Sequence, residues 1–382
     1  MGSKYLFVIN SFLAGGAERS LLELLPSLVA HGRTPIVVCL RYRDVGFEEE
    51  VRAAGFDVRL LPGGSRLAKI LSLRRMILQE RPDLVYTALF DADVAGRLAA
   101  IGTGVPVMTN LANTAYDPAR FDDPNVAAMR LKAARWIDGF TARHLTDHFH
   151  AISQAVKDST VETLGVPAER ISVVKRGRDA ARLGERTPER RSAVRARLGI
   201  APDAAVLVAV GRQEYQKGHR YLIEAFAGIH EARPGARLLI AGREGHASSA
   251  LRGLVSELGL ESAVSLLGHR DDVADVLAAA DVFVFPSLYE GLGGALIEAL
   301  ALALPIVTSD LPARREVVRE GENADLVAPG DVATIRAAVL DLLADRERLE
   351  RYGRRSRELF DEEFRAEIAS GRVLALLEEV AR

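Results

Sequence analysis

Glu290 and Glu298 stand eight positions apart in the run YEGLGGALIEALALALP, residues 289–305, which is otherwise apolar and holds three glycines between them. An ionised carboxylate buried without hydrogen-bond donors is costly, so two acids in so apolar a stretch need partners. The preceding DVFVFPS reads as a buried strand, and 288–294 as the loop leaving its carboxyl end. GALIEALALAL then reads as a helix whose first turn is 294–297. In an open α/β sheet, ligands bind at that edge. Glycines there admit a close approach to the backbone, and the N–H groups of a helix start suit an anion. Glu290 at the loop and Glu298 one turn into the helix can face one crevice, where ligand hydroxyls supply the donors. A phosphate flanked by two polyols is a nucleotide sugar. An acid favouring the helix dipole accounts for Glu290, but not for a glutamate inside ALIEALALAL.

Two other segments carry related signals. In VAVGRQEYQKGHRYLIEAF, 208–226, a strand ends at Gly211, Arg212 and Lys217 follow in the loop, and Gly218 precedes a helix. A guanidinium fork and a point-charge ammonium at a sheet's carboxyl edge suit a diphosphate, and could stand in for a divalent metal in stabilising it as it leaves. Two merely solvated loop cations fit the pattern equally. In NSFLAGGAERSLLELL, 10–25, Gly15 and Gly16 precede a helix and invite an anion; a tight turn is the plainer reading. The segment is not a GxGxxG, and the second strand ends in CLRYR without an acid to hold a ribose, so a dinucleotide fingerprint fits poorly.

The elements that must position these residues alternate along the chain. Strand-like apolar runs fall at 5–10, 36–40, 58–61, 84–87, 105–110, 149–153 and 171–174, and again at 206–210, 237–241, 264–267, 282–285, 306–309 and 325–327. Helical patterns fill most of the gaps, as at 17–30 with Leu21, Leu24, Leu25 and Leu28 on one face. Apolar strands spaced by helices mean parallel sheets covered on both faces. Two series predict an α/β chain of two doubly wound, Rossmann-like domains, 1–180 and 181–361, joined near 180–189, with a final helix at 362–382.

Composition bounds the function. Of 382 residues, 48% are hydrophobic and 27% charged, ordinary for a protein with sizeable cores. A formal net charge of −2 argues against general nucleic-acid binding. Cys39 is the only cysteine, which excludes an internal disulfide and a thiolate zinc cluster and fits a reducing, cytoplasmic setting. The first residues run straight into YLFVIN, with no secretory pattern. His144, His148 and His150 cluster without the marks of metal ligands. Over 65–81, Arg66, Lys69, Arg74 and Arg75 accompany Leu67, Ile70, Leu71 and Leu73; this fits peripheral contact with an anionic membrane at its inner face, though a solvated helix face is the plainer reading.

Together these segments resemble the GT-B fold retaining glycosyltransferases of family 4, over nearly the full chain and most closely in its second half. Glu290 and Glu298 match the family's E-x7-E pattern, GRQEYQKG its diphosphate loop, and 304–331 its next strand and loop. The resemblance implies two domains facing a central cleft, with the final helix crossing back to the first. It implies metal-independent, hexosyltransferase-type transfer with retention, from a nucleoside-diphosphate sugar, UDP-linked by preference, to a glycan, lipid-linked or small-molecule acceptor. No cofactor is expected. By position, Arg212 and Lys217 would bind the diphosphate, Glu298 the ribose, and Glu290 the sugar beside the amides of Gly293, Gly294 and Ala295. Gly15 and Gly16 would approach the diphosphate from the first domain, so closure about the hinge would complete the donor site. The base would sit near Gly242, Arg243, His269 and Arg270. Many members carry a histidine after the fifth strand; here VMTNLANTAYDP places Asn113 or Thr114 there, with Tyr116 close by, and KRGRD, with Arg176 and Asp179, replaces the commoner Asn-Gly-x-Asp. Asn113 is thus the catalytic candidate on the acceptor side, and Thr114, Tyr116, Arg176 and Asp179 are further acceptor-side candidates.

Two other functions suit the same architecture. A nucleotide-sugar epimerase would need paired acids and histidines for proton abstraction, and no convincing set stands out. A binding protein without turnover is opposed by the intact Arg212, Lys217, Glu290 and Glu298.

Overall fold

Tyr5, Phe7 and Ile9 point into one core and Leu6 and Val8 into another, so the first strand is buried on both faces, as its unbroken apolar run requires. In the computed structural model, which describes residues 3–12, 15–42 and 48–381, this strand is β1 (Lys4–Ile9). It joins β2 (Thr34–Cys39), β3 (Asp57–Leu60), β4 (Leu84–Ala88), β5 (Val107–Leu111), β6 (His148–Ala151) and β7 (Ile171–Val173) in one sheet. A second sheet holds β8 (Val206–Val210), β9 (Arg237–Ala241), β10 (Val264–Gly268), β11 (Val282–Phe285), β12 (Ile306–Ser309) and β13 (Ala324–Val327). Each expected strand is present. Leu13 and Ala14 of the Gly-Gly loop and Arg43 of the CLRYR run lie outside the described residues.

Both sheets are parallel throughout. Their orders are β3-β2-β1-β4-β5-β6-β7 and β10-β9-β8-β11-β12-β13. In each, the direction of winding reverses once, between β1 and β4 and between β8 and β11. A crevice opens at such a switch point, outside the carboxyl ends of the strands. In the second sheet, the two loops flanking it are the one carrying Lys217 and the one carrying Glu290.

The chain divides into two units. Unit 1 comprises Met1–Pro118, Val126–Gly177 and Ala366–Arg382, and unit 2 comprises Ala119–Asn125 and Arg178–Arg365. Two features differ from the sequence expectation. Residues 119–125 leave unit 1 for unit 2. The final helical stretch is interrupted: one helix, Arg346–Glu363, ends in unit 2, where Phe364 is fully buried, and another, Ala366–Val380, begins after Arg365. The break coincides with a backbone bond from Arg178 N–H to Phe364 O at 2.8 Å. The last helix seats Val373, Leu374, Leu376 and Leu377 in the core of unit 1, beside Leu21, Leu24, Leu25 and Leu28 of the Gly16–Ala30 helix.

Candidate active site

In unit 2 the loop after β8 closes in a single 3-10 turn, Tyr215–Lys217, which aims Lys217 back over the sheet edge. The loop after β11 rises to Glu290 and ends at Gly293, whose φ of 96° is a left-handed conformation that favours glycine. A Cβ there would lie 2.6 Å from Arg314 Nη1 and 2.9 Å from the Phe285 ring. Gly294 and Ala295 then open the Gly294–Ala301 helix, whose first N–H groups have no intrahelical acceptor. Glu298 lies one turn in, as its spacing predicts.

Lys217 Nζ and Glu290 Oε2 form a tight ion pair. Arg314 stands behind it, with Nη2 3.9 Å from the same carboxylate oxygen. Its guanidinium stacks on Phe285 at 4.4 Å, and the Lys217 ammonium lies 5.3 Å from that ring. Arg314 is fully buried and donates from Nη1 to Leu292 O at 2.7 Å, while its Nε and Nη2 have no hydrogen-bond acceptor. Burial pushes the Lys217 ammonium below its ordinary range, with Glu290 opposing and Arg314 and Arg212 adding to the fall. Burial also takes Arg314 down to about 10. Arg212 is exposed on the same loop. One acid therefore meets an excess of cations, an arrangement that suits an added anion.

Other buried polar atoms at this edge lack partners: Gln213 Oε1 after β8, Ser287 Oγ after β11 and Ser309 Oγ at the end of β12. Interior polar groups are ordinarily paired, so such a concentration at one sheet edge marks a place where a ligand or water completes the bonding. His219 opens the next helix fully buried, and its pKa falls to about 3 through burial first and the Lys217 charge second, so it stays neutral beside the cations.

Glu298 is already engaged. Arg178 Nε donates to its Oε1 at 2.9 Å, and the Arg178 guanidinium lies directly on Gly294. Arg178 is almost completely buried. At the expected base end, Gly242 N donates to Gly268 O at 2.8 Å, tying the ends of β9 and β10 together. Arg270 is clamped to Asp272 through two bonds of 2.7 Å, and His269 lies 3.3 Å from Asp271. Arg243 contributes its carbonyl to Gln213 N at 2.9 Å.

Unit 1 holds the remaining candidates. Gly15 caps the Gly16–Ala30 helix in extended conformation, and the Glu18 carboxylate folds against it, 2.5 Å from where a Cβ would stand. Arg176 backs Gly16 in the same way, at 2.9 Å. Asn113 accepts from Thr114 N at 2.9 Å, and the Thr114 hydroxyl is buried without a partner. Two candidates already hold other groups. Tyr116 is withdrawn into unit 1, where its hydroxyl donates to Asp138 at 2.9 Å beside the Arg97–Asp138 pair. Asp179 belongs to unit 2 and caps the Ala180–Leu183 helix, accepting from Ala181 N and Arg182 N. Each side chain is held by a structural partner within its own unit, Tyr116 by a contact distant in sequence and Asp179 by the helix it caps. Of the three histidines, His150 accepts from the Tyr86 hydroxyl at 2.8 Å and donates to Val174 O at 2.9 Å. Burial lowers its pKa to about 4. His148 is held by Ser172 at 2.9 Å, and His144 packs on Phe140.

Arg178 and Arg314 were not picked out from the sequence. For Arg178 a signal existed: it stands inside KRGRD, the segment singled out for its departure from the common pattern. For Arg314, within SDLPARREVV, no local signal marks one arginine of a pair as buried and its neighbour Arg315 as exposed.

Two doubly wound parallel sheets, with a cationic, glycine-lined edge at the switch point of the second, define a GT-B glycosyltransferase. The comparisons agree. The family described as Glycosyl transferases group 1 matches residues 190–359, and Glycosyltransferase Family 4 matches residues 14–182. The alpha-maltose-1-phosphate synthase of Mycobacterium tuberculosis is 30% identical over 73% of this chain and 73% of its own. An Escherichia coli UDP-Gal:alpha-D-GlcNAc-diphosphoundecaprenol alpha-1,3-galactosyltransferase is 26% identical over 73% of this chain and 71% of its own. Some matches are shorter: the chain spans 52% of a Rhizobium meliloti lipopolysaccharide core biosynthesis glycosyltransferase. Among solved structures, the Anabaena protein HepE in complex with UDP and glucose superposes with a TM-score of 0.86 at 22% identity, over 98% of this chain and 99% of that one. The chain belongs to glycosyltransferase family 4.

Proposed function

We propose that the chain transfers a hexosyl group from a nucleoside-diphosphate sugar, UDP-linked by preference, to an acceptor hydroxyl, with retention of configuration and without a metal. The observation that carries this is the ion pair of Lys217 and Glu290 with the buried, incompletely bonded Arg314 behind it. A departing diphosphate needs cations fixed in advance where its charge develops. Lys217, Arg212 and Arg314 supply them without a metal. Glu290, once Lys217 turns to the diphosphate, accepts from the sugar hydroxyls. Glu298 keeps Oε1 on Arg178 and offers Oε2 to the ribose. The preference for uridine draws on HepE, solved with UDP and with UDP-glucose, and on the E. coli relative named for UDP-Gal. That relative's diphosphoundecaprenol substrate supports a lipid-linked or glycan acceptor, with Asn113, Thr114 and Arg176 on the acceptor side.

Neither carboxylate of the pair is assigned as a nucleophile, since Glu298 stays on Arg178 and Glu290 is given to the sugar hydroxyls. The step then runs on one face of the sugar. The bond from the anomeric carbon to the phosphate oxygen breaks, the acceptor oxygen bonds to that carbon, and the acceptor's proton passes to the departing phosphate oxygen. Thermal shift with UDP, GDP and ADP, followed by product analysis with UDP-sugars in EDTA, tests the proposal. An epimer formed without acceptor, or strict dependence on manganese, would overturn it.

A further inference from the structure

The chain's single tryptophan, Trp136, is 71% exposed. It sits in unit 1 on the Ala128–Leu145 helix, with Met129 at 78% and Phe140 at 49% exposure on the same helix. Trp136 and Phe140 stack at 6.0 Å and 16° one turn apart, so solvent faces a continuous aromatic ridge. Two helices away, Leu67, Leu71 and Leu78 are exposed on the Arg66–Glu80 helix. The Phe90–Ala100 helix packs between the two, so all three form one layer over the sheet. With Ile137, these two helices hold seven of the twelve exposed large hydrophobics among the described residues. Scattered exposed apolar residues are normal, whereas a concentration of them marks a contact surface.

The charges decide what it contacts. The exposed charged residues on these helices are Arg66, Arg75, Arg130, Lys132, Arg135 and Arg143, all cationic. Their two acids are turned to other partners, Glu80 to Lys4 and Arg59, and Asp138 to Arg97. A chain of net charge −2 thus presents one face that is apolar and predominantly cationic, the partly exposed Asp91 of the middle helix being paired with Arg41 and lying 3.8 Å from Arg66. A packed protein partner has no need of so uniform a sign. An anionic bilayer fits both features: aromatic and aliphatic side chains enter the headgroup boundary while cations meet lipid phosphates.

We propose that the layer of the Arg66–Glu80 and Ala128–Leu145 helices docks unit 1 on an anionic lipid surface, with Trp136 and Phe140 as its inserted anchors. This relocates the centre of any membrane contact from the helix flagged in the sequence. There, Lys69 donates to Leu40 O at 2.6 Å and Arg74 to Ala99 O at 3.2 Å, as Arg135 and Arg143 of the second helix donate to Thr163 O and Leu164 O. The outward cations are therefore Arg66 and Arg75 on the first helix and Arg130 and Lys132, beside the aromatic pair, on the second. The inference is independent of the donor chemistry.

Trp136 reports on it directly, since no other tryptophan contributes fluorescence. With vesicles of phosphatidylglycerol and phosphatidylcholine at low salt, emission shifts to the blue and the protein co-sediments. Trp136→Ala with Phe140→Ala weakens sedimentation at least tenfold, and Arg130→Glu with Lys132→Glu does likewise. Rising salt weakens binding. These residues are exposed, so the variants keep the parent's circular dichroism and melting behaviour. No shift and no sedimentation with anionic vesicles overturns the proposal. So does equal binding to pure phosphatidylcholine, or a blue shift that follows protein concentration without lipid, which assigns the face to a second copy of the chain.

Discussion

Replacing Arg314 by leucine distinguishes a structural strut from a ligand contact. In the free protein the Arg314 guanidinium is fully buried, bonded once to Leu292 O, and stacked on Phe285. Its pKa is lowered from 12.5 to about 10, by burial against the pull of Glu290. A fall of that size costs the charged form about 3 kcal/mol. Because the folded pKa is depressed for a cationic group, the cost is fully present at neutral pH and fades only as pH rises through about 10. The bond from a charged donor returns roughly 1.5–3 kcal/mol, and the aromatic stack a further ~1 kcal/mol. These contributions nearly cancel. Arg314→Leu should therefore leave the stability of the free protein within about 2 kcal/mol of the parent. Nucleotide breaks the balance. A diphosphate reaching Nε or Nη2 gains a charge-assisted bond of roughly 1.5–3 kcal/mol, which is about tenfold to a hundredfold in affinity. UDP at 100 times the parent Kd stabilises the parent by about 2.7 kcal/mol, and a variant bound thirtyfold more weakly by about 1 kcal/mol. Urea melts with and without UDP, with calorimetry for Kd, measure both quantities. A loss above about 3 kcal/mol without nucleotide, together with an unchanged increment from UDP, refutes the reasoning and makes Arg314 a strut.

Lys217→Ala should cut transfer by about a hundredfold or more, the scale for removing one group that stabilises developing charge, with activity in EDTA intact in the parent; activity lost to chelator and restored by manganese contradicts a cationic site. Glu290→Gln should penalise UDP-sugar more than UDP, whereas Glu298→Gln should weaken both, and calorimetry giving one pattern for both variants removes the division of roles. Glu298→Gln also strands the buried Arg178 charge, so a stability loss of about 3 kcal/mol is expected beside it, measured by urea titration. Burial lifts the Asp93 carboxyl to about 7, with Arg97 opposing. Its raised pKa means the folded state holds the proton between about 4 and 7, and stability falls as pH rises through that window. Asp93→Asn, which mimics the protonated form, should match the parent at pH 4 and exceed it by a few kcal/mol at pH 8; a difference independent of pH speaks against this.

What the sequence discloses here depends on the range of the interaction involved. Apolar runs such as YLFVI, VLVAV and VFVF must be covered on both faces, so β1, β8 and β11 and their parallel order follow from local pattern plus the helices between them. The Glu290–Glu298 spacing and the Arg212–Lys217 loop are likewise local, since a strand end, a glycine turn and a helix start fix where each side chain emerges. Arg178 and Arg314 are different in kind. Each reaches its position through a contact distant in sequence: Arg178 through Glu298, 120 residues on, and Arg314 through Leu292, 22 residues back. Periodicity reads an arginine as solvent-facing, and nothing near Arg314 says that the Phe285 ring and a glycine with no side chain have left a slot for a guanidinium. Tyr116 shows the converse: its place in a loop beside Asn113 reads as exposed, yet Asp138, 22 residues later, draws its hydroxyl inward. The same limit hides Trp136. Helical spacing sets it among apolar neighbours that a sequence reader assigns to the core, and only the packed layer shows that Leu131 is the side turned in while Trp136 and Phe140 face out. Residues that touch ligands or membranes by defying their own pattern are therefore the ones a single sequence conceals, and they are where substitution tells most.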